Sequence, residues 1–248
     1  MDEISKESAH DDIFVTTRWT VVLHAADGSS PDAERALEEI CKTYWFPLYA
    51  YIRRRGHTPE DAEDLTQEFF RQLLEKNWIA DADREKGKLR AFLITALKHF
   101  MTGEWRKASA EKRGGRQVHL SIDTEIAEGR YASTAQSPSI EAEVLFDHQW
   151  ALILLELTVQ RLKNEYSDAG KADEFTALKD GLFLAHQRVD YPALATRLGK
   201  SENASRVAVH RMRKRFRELY RNEVAQTLPP GADLGEEMRH LAESLACG

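Results

Sequence analysis

Apolar residues recur every three or four positions along most of the chain, which is the spacing of one face of an α-helix. The clearest stretches cover residues 37–52, 62–74, 89–100 and 144–162. No segment predicts a β-strand with comparable strength. The pattern therefore predicts an all-α protein.

Polar residues and turn formers mark where several of these helices begin and end. Ser30 and Thr58 each precede a proline, which places a capping side chain ahead of a residue that suits the first helical turn. Gly56 follows three arginines and ends the first long helix. Pro47 lies within that helix and predicts a kink or a split near Trp45.

A stretch without helical periodicity separates two helical blocks. It contains two adjacent glycines and is rich in serine and threonine near its end, which is typical of an extended linker. We therefore expect two domains joined by a long linker. The predicted segments are a flexible N-terminus at 1–15, a first domain at 16–108, a linker at 109–139, a second domain at 140–226 and a C-terminal tail helix within 227–248.

The second block contains a helix-turn-helix signature over residues 190–217. Asp190 can cap a short helix, Gly199 suits the left-handed position that ends it, and Ser201 can cap the helix that follows. That helix is strongly cationic. Its basic residues are Arg206, His210, Arg211, Arg213, Lys214, Arg215 and Arg217. A solvated helix face, or a helix that binds RNA or an acidic protein, has the same charges, but the adjoining turn favours a helix that enters a DNA major groove.

Composition narrows the classes of function. The chain has 248 residues, 31% of them charged, and a mean hydropathy of -0.54, which predicts a soluble protein of one large or two small domains. There is no apolar run of membrane-spanning length and no signal-peptide pattern, so we expect a cytoplasmic location. Cys41 and Cys247 lack metal-ligand or redox spacing, which predicts free thiols in a reducing compartment.

The charges are unevenly distributed along the chain. The net charge is -6, with acidic residues concentrated at 34–39 and 60–68 and basic residues at 84–116 and 206–221. A protein that is anionic overall gains little non-specific attraction to phosphate. We therefore expect weak DNA binding by the isolated chain, and stronger binding when a partner neutralises its acidic face.

Three motifs follow one another in the order found in a known family. The sequence EDAEDLTQEFF at 60–70 is similar to sigma region 2.2, and LRAFLITALKH at 89–99 is similar to regions 2.3–2.4. Tyr191 to Phe216 resembles region 4.2. The chain thus resembles a bacterial sigma factor of the compact extracytoplasmic-function type, which belongs to the sigma-70 family.

The resemblance implies an all-α fold with a region 2-like bundle, a long linker and a region 4-like helix-turn-helix domain. It implies a promoter-recognition subunit with no catalytic activity, no cofactor, no metal and no small-molecule substrate. Its partners would be core RNA polymerase, through the beta-prime clamp and the beta flap, and promoter DNA. An anti-sigma factor is left open as a further partner.

The resemblance also implies three sets of contact residues. Carboxylates and an amide would bind the polymerase clamp: Asp61, Asp64, Gln67 and Glu68. Cations, an imidazole and an indole would read and melt the −10 element: Arg90, Lys98, His99, Trp105 and Arg106. Polar and cationic residues would contact the −35 element: Ser201, Asn203, Arg206, His210, Arg211 and Arg213.

Some positions depart from the family pattern. His99 stands where asparagine is usual, and Lys200 and Ser205 stand where apolar residues are usual. The methyl contacts that Ser205 lacks are worth on the order of 1 kcal/mol.

Two other classes of protein fit parts of the sequence. One is a stand-alone helix-turn-helix regulator whose N-terminal helices sense a ligand or form a dimer. The other is a helical enzyme, against which the sequence has no glycine-rich phosphate loop, metal-ligand spacing or nucleophile elbow.

Overall fold

A computed structural model describes residues 31–76, 78–108, 124–134, 140–184 and 188–246, and these residues contain no β-strand. Short 3₁₀ turns occur at Trp78–Asp81, Arg84–Lys86 and Lys179–Gly181. The α-helices are α1 Pro31–Arg54, α2 Pro59–Glu75, α3 Leu89–Ala108, α4 Thr124–Thr134, α5 Ala142–Asp168, α6 Ala172–Leu178, α7 Tyr191–Leu198, α8 Glu202–Gln226 and α9 Leu234–Ala246.

Helix α1 is continuous through Pro47, so the predicted split does not occur. Proline removes one helical hydrogen bond and crowds the preceding turn. Tyr44, Leu48 and Tyr51 around it are at most 1% exposed, and burial of such large side chains outweighs the lost bond. The predicted start of α2 is confirmed, because Thr58 Oγ1 accepts a hydrogen bond from the Asp61 amide at 3.1 Å.

The chain divides into two compact units. Unit 1 comprises Met1–Ile153 with Val224–Gly248, and unit 2 comprises Leu154–Glu223. The predicted second domain began at 140 and ended at 226, whereas unit 2 begins inside α5 and ends inside α8. The boundaries differ because a long helix can contribute its two ends to different cores, which a pattern along the chain does not indicate.

Aromatic side chains fill the core of unit 1, where α1 packs against α2. The rings of Trp45 and Tyr49 stack with centroids 5.0 Å apart, and Phe69 meets Phe100 of α3 edge-on at 5.7 Å. Cys41 is a buried free thiol in this core, as predicted. Cys247 lies outside the described residues, as do the predicted flexible segment 1–15 and the linker residues 109–123 and 135–139.

Helix α4 forms inside the segment predicted to be an extended linker. Its Ala127 is 3% exposed, and Arg53 of α1 donates two hydrogen bonds to the Glu128 carboxylate, at 2.7 and 2.9 Å. The Arg53 hydrogen bonds hold the pKa of Glu128 below its usual value. The linker prediction is therefore wrong for this stretch, because contacts with α1 order a sequence that has little helical amphipathicity of its own.

The core of unit 2 joins α5, α6, α7 and α8. Its buried apolar members include Leu162, Phe175, Leu194, Met212 and Phe216.

The predicted helix ends on either side of the turn between α7 and α8 are confirmed. Asp190 Oδ1 accepts from the Ala193 amide at 3.0 Å, and Gly199 adopts the left-handed conformation with φ of 60°. Ser201 Oγ accepts from the Ala204 amide at 3.2 Å. A short helix, a tight turn and a long cationic helix therefore occur as predicted.

Helix α9 belongs to unit 1, although the sequence predicted a separate tail. Leu241 is 1% exposed, so α9 contributes to a buried core. In the described part of the chain, no helix combines the length and the apolar character needed to cross a membrane.

Candidate nucleic-acid interface

An acidic surface lies on the outer side of α2. Asp61 and Asp64 are exposed and Glu68 is half-buried, and their spacing places all three opposite the apolar stripe of this helix. Among the described residues, neither Asp61 nor Asp64 has a side-chain ion pair. Two free carboxylates therefore face away from the core of unit 1.

The other two residues predicted to bind the polymerase have partners within α2. Gln67 Nε2 donates to Glu63 Oε1 at 3.0 Å, and Arg71 Nε donates to Glu68 Oε2 at 2.6 Å. The Arg71 guanidinium neutralises part of the Glu68 charge. Asp61 and Asp64 are thus the carboxylates of this predicted set that have no ion pair among the described residues.

Arg90 is buried, although it was predicted to contact promoter DNA. It is 5% exposed, and its Nε donates to Asp147 Oδ1 of α5 at 2.9 Å. Its Nη1 donates to Glu237 of α9, and its Cζ lies 4.6 Å from the ring centroid of Trp150. In this conformation Arg90 is an internal residue of unit 1 and not a surface cation, because side chains of α5 and α9 enclose its guanidinium.

The pKa shifts agree with a stable buried ion pair. Burial opposes the charge on Arg90, but the Glu237 and Asp147 carboxylates outweigh burial and raise the Arg90 pKa. Burial likewise opposes ionisation of Glu237, and Arg90 and Lys88 outweigh it and lower the Glu237 pKa. Both groups therefore remain charged at neutral pH.

Lys98 and His99 lie on the exposed side of α3, as a nucleic-acid contact requires. Lys98 Nζ lies 2.7 Å from Glu143 Oε1, with both side chains nearly half exposed. This pair lowers the pKa of Glu143, chiefly through the Lys98 hydrogen bond. The side chains of Trp105 and Arg106 lie outside the part of the chain that the structure describes.

His99 borders a groove of about 530 Å³ between the end of α2 and the middle of α3. The rings of Trp78, Phe92 and Phe100 line it, and Lys76 Nζ lies 5.2 Å from the Trp78 ring centroid. Aromatic faces beside a cation suit an unstacked base and its phosphate. The sequence did not single out Trp78 or Phe92 as site residues. A local signal for Trp78 does exist, because this tryptophan lies in a polar loop just before a basic helix.

Four of the residues predicted to contact the −35 element lie on the exposed surface at the start of α8: Ser201, Asn203, Arg206 and His210. Asn203, Arg206 and His210 recur at helical spacing and share one face. The Arg206 guanidinium lies 4.1 Å from the ring centroid of Tyr191, which holds the cation at the junction of α7 and α8.

Arg213 continues that face at helical spacing, three residues after His210, but its guanidinium is taken up by other contacts, whereas Arg211 lies off the face. Arg213 Nη2 donates to the carbonyls of Gly181 and Leu184, both at 2.6 Å, so the fold of unit 2 uses it. Arg211 lines a separate groove with Tyr166 and other residues.

Both departures from the family pattern in unit 2 have structural partners. Ser205 is fully buried and donates to the Ser201 carbonyl at 3.1 Å. Lys200 Nζ lies 2.7 Å from Glu174 Oε1.

The described ranges contain no group of three or more histidine, cysteine, aspartate or glutamate side chains that could hold a metal ion.

Comparison with known proteins identifies one segment. Residues 44–111 match the family model for Sigma-70 region 2. The match supports a sigma-70 family sigma factor. It spans the second half of α1, all of α2 and α3, and therefore the acidic surface, Lys98, His99 and the aromatic groove. No curated protein and no solved structure matches the chain.

A region 2 segment supports a role in promoter recognition, with core RNA polymerase and promoter DNA as the implied partners.

Proposed function

We propose that this chain is a sigma factor of the extracytoplasmic-function type, acting in the cytoplasm as a non-catalytic subunit of RNA polymerase. It directs promoter-specific initiation by reading and melting the −10 element and binding the −35 element. The observation that carries this proposal is the region 2 match, which falls on the segment that exposes both an acidic helix face and a cationic, aromatic groove.

Helix α2 binds the beta-prime clamp of core polymerase in this proposal. Asp61 and Asp64 supply free carboxylates, and Gln67 and Glu68 lie beside them with hydrogen-bonding capacity. An exposed acidic face attracts and orients a cationic partner more strongly than it raises affinity. The beta flap is the corresponding partner of unit 2, and an anti-sigma factor would compete for these same surfaces.

The −10 element meets the exposed side of α3. Lys98 binds a phosphate, His99 hydrogen-bonds a base edge, and the adjoining groove receives a base that has left the stack. Trp105 and Arg106, which follow in the sequence of α3, are assigned to the same element in this proposal. Arg90 makes no direct contact while Glu237 holds it.

The −35 element meets the start of α8. Asn203, Arg206 and His210 read base edges in the major groove, while Ser201 and Arg211 contact phosphate. Arg213 acts through the fold by holding the loop before α7 in place. Because two weak sites act together once both are fixed on the polymerase, the chain binds promoters far more tightly in the holoenzyme than alone.

The test is pull-down of core RNA polymerase and run-off transcription with the Asp64→Arg variant. We expect at least about a tenfold loss of polymerase binding and of transcripts, because the reversed charge would face a cationic clamp. Asp180→Arg makes the same charge change at an exposed residue of unit 2 and should behave as wild type. Circular dichroism checks that both variants keep their helices.

Normal polymerase binding by Asp64→Arg would contradict the docking surface. Specific duplex binding by a wild-type chain that never associates with polymerase would instead support a stand-alone helix-turn-helix regulator.

A further inference from the structure

Helix α9 is fixed to unit 1 along one face. Glu237, Leu241 and Ser244 are each at most 5% exposed, and their spacing of four and three residues aligns them on one side of the helix. His148 Nδ1 lies 2.8 Å from the Ser244 carbonyl, and His240 Nε2 lies 2.7 Å from Asp147 Oδ2. The docking of α9 therefore combines apolar burial with hydrogen bonds to α5.

The charged part of this contact lies at the start of α3. Glu237 accepts from both Lys88 and Arg90, one through each carboxylate oxygen. Asp147 adds a second carboxylate to Arg90 and a partner for His240. Two carboxylates and two cations thus form one cluster at the N-terminal end of α3, the helix that carries Lys98 and His99.

A contact of this kind is a costly way to attach a helix. Burying both charges carries a large desolvation cost, and well-packed apolar residues of the same volume often hold a helix equally well. The charges do allow a phosphate to compete with the carboxylates for this contact, because phosphate oxygens are also good acceptors for an arginine guanidinium. A carboxylate can therefore occupy the place of a phosphate.

We propose that α9 is a built-in competitor that masks a nucleic-acid-binding pair, Lys88 and Arg90. While α9 is docked, Glu237 and Asp147 neutralise these cations. When α9 is displaced, Asp147 of α5 still pairs with Arg90 Nε, but Lys88 Nζ and Arg90 Nη1 lose Glu237 and become available to the phosphates of an unwound DNA strand. This inference rests on the proposed function, since it assigns the regulation of the same α3 surface.

The test measures binding of the full chain to a mixed-sequence single-stranded oligodeoxynucleotide by fluorescence anisotropy, over a range of salt concentrations. Glu237→Gln keeps the side-chain volume and removes the competing charge. For each additional phosphate that the variant binds, we expect about a threefold higher low-salt affinity and a salt slope steeper by about 0.7. Glu236→Gln makes the same charge change on the exposed side of α9 and should leave both values close to wild type.

Two further variants separate the proposal from a purely structural role of α9. The double variant Glu237→Gln/Arg90→Gln should lose most of the increase in affinity, because the freed guanidinium is absent. Leu241→Ala weakens the apolar packing of α9 on unit 1 without changing charge, and it should also increase the affinity for the oligodeoxynucleotide. If Glu237→Gln loses its helical circular dichroism signal, Leu241→Ala carries the comparison.

Wild-type affinity and slope in both Glu237→Gln and Leu241→Ala would overturn the proposal. So would an equal increase in Glu236→Gln, which would reduce the effect to net charge. Polymerase pull-down by the wild-type chain, run in parallel, tests the proposed function separately. A chain that binds polymerase but shows no increase in DNA affinity in these variants would refute only the role of α9.

Discussion

Arg90 and Lys98 show that burial decides what a cation on a helix can do. Both lie on α3, and both pair with a carboxylate of α5. The side chain of Arg90 is 6% exposed and that of Lys98 is 47% exposed. The sequence placed them in one functional set, whereas in the structure Arg90 forms a buried ion pair and Lys98 stays at the surface.

Replacing these two cations should therefore have unequal effects on stability. Arg90→Met removes a partner from the buried Glu237 and from the partly exposed Asp147, and we expect a loss of about 3–5 kcal/mol in the free energy of unfolding. Lys98→Met breaks a half-exposed pair and should cost less than about 1 kcal/mol. Urea unfolding at pH 7, followed by circular dichroism, measures both. Equal losses would show that the buried ion pairs of Arg90 do not stabilise the fold more than the exposed pair of Lys98 does.

At the scale of single elements, helix ends followed their local signals closely. Thr58, Asp190 and Ser201 each cap the helix that the sequence assigned to them. A cap is a contact between residues two or three positions apart, so both of its partners can be recognised in a short stretch of sequence. Helix α4 had no such signal, because its stabilising partner Arg53 is 75 positions away.

Two glycines allow a matched test of element stability. Gly199 has φ of 60°, where a Cβ costs roughly 1–2 kcal/mol, so Gly199→Ala should destabilise the turn between α7 and α8 by about that amount. Gly129 lies inside α4 with no atom within 4 Å of an added Cβ. Gly129→Ala should stabilise the protein by about 0.5–1 kcal/mol. Thermal unfolding of the two variants should thus shift in opposite directions, and a shift in the same direction would contradict the assigned conformations.

At the scale of the whole molecule, the net charge of -6 conceals distinct surfaces. Free carboxylates lie on the outer face of α2, while exposed cations lie on α3 and at the start of α8. Other carboxylates bind distant parts of the chain to each other, as Glu128 binds Arg53 and Glu237 binds Arg90. Acidic residues therefore serve both recognition and folding.

These internal carboxylates predict sensitivity to acid. The pKa values of Glu128 and Glu237 lie below the usual 4.5, so both carboxylates stabilise the fold above about pH 4.5. That stabilisation is lost as the pH falls through the pKa values of the folded state, and a pKa that is lower by one in the folded state than in the unfolded state contributes about 1.4 kcal/mol. The urea concentration at the midpoint of unfolding should therefore decrease when the pH is lowered below 4.5. Glu128→Gln should show a smaller fall than wild type, and an identical pH dependence would contradict the role of this carboxylate.

The sequence by itself determined the all-α character, most helix boundaries, the caps and the position of acidic and basic segments along the chain. These properties depend on periodicity and on neighbours within a few residues, all of which lie close together in the sequence. Only the tertiary structure decided that Arg90 and Arg213 are taken up by the fold, that residues 124–134 form a packed helix, and that α9 docks on unit 1. Each of those outcomes depends on partners between 29 and 149 positions away, and burial by such distant partners leaves no local mark in the sequence.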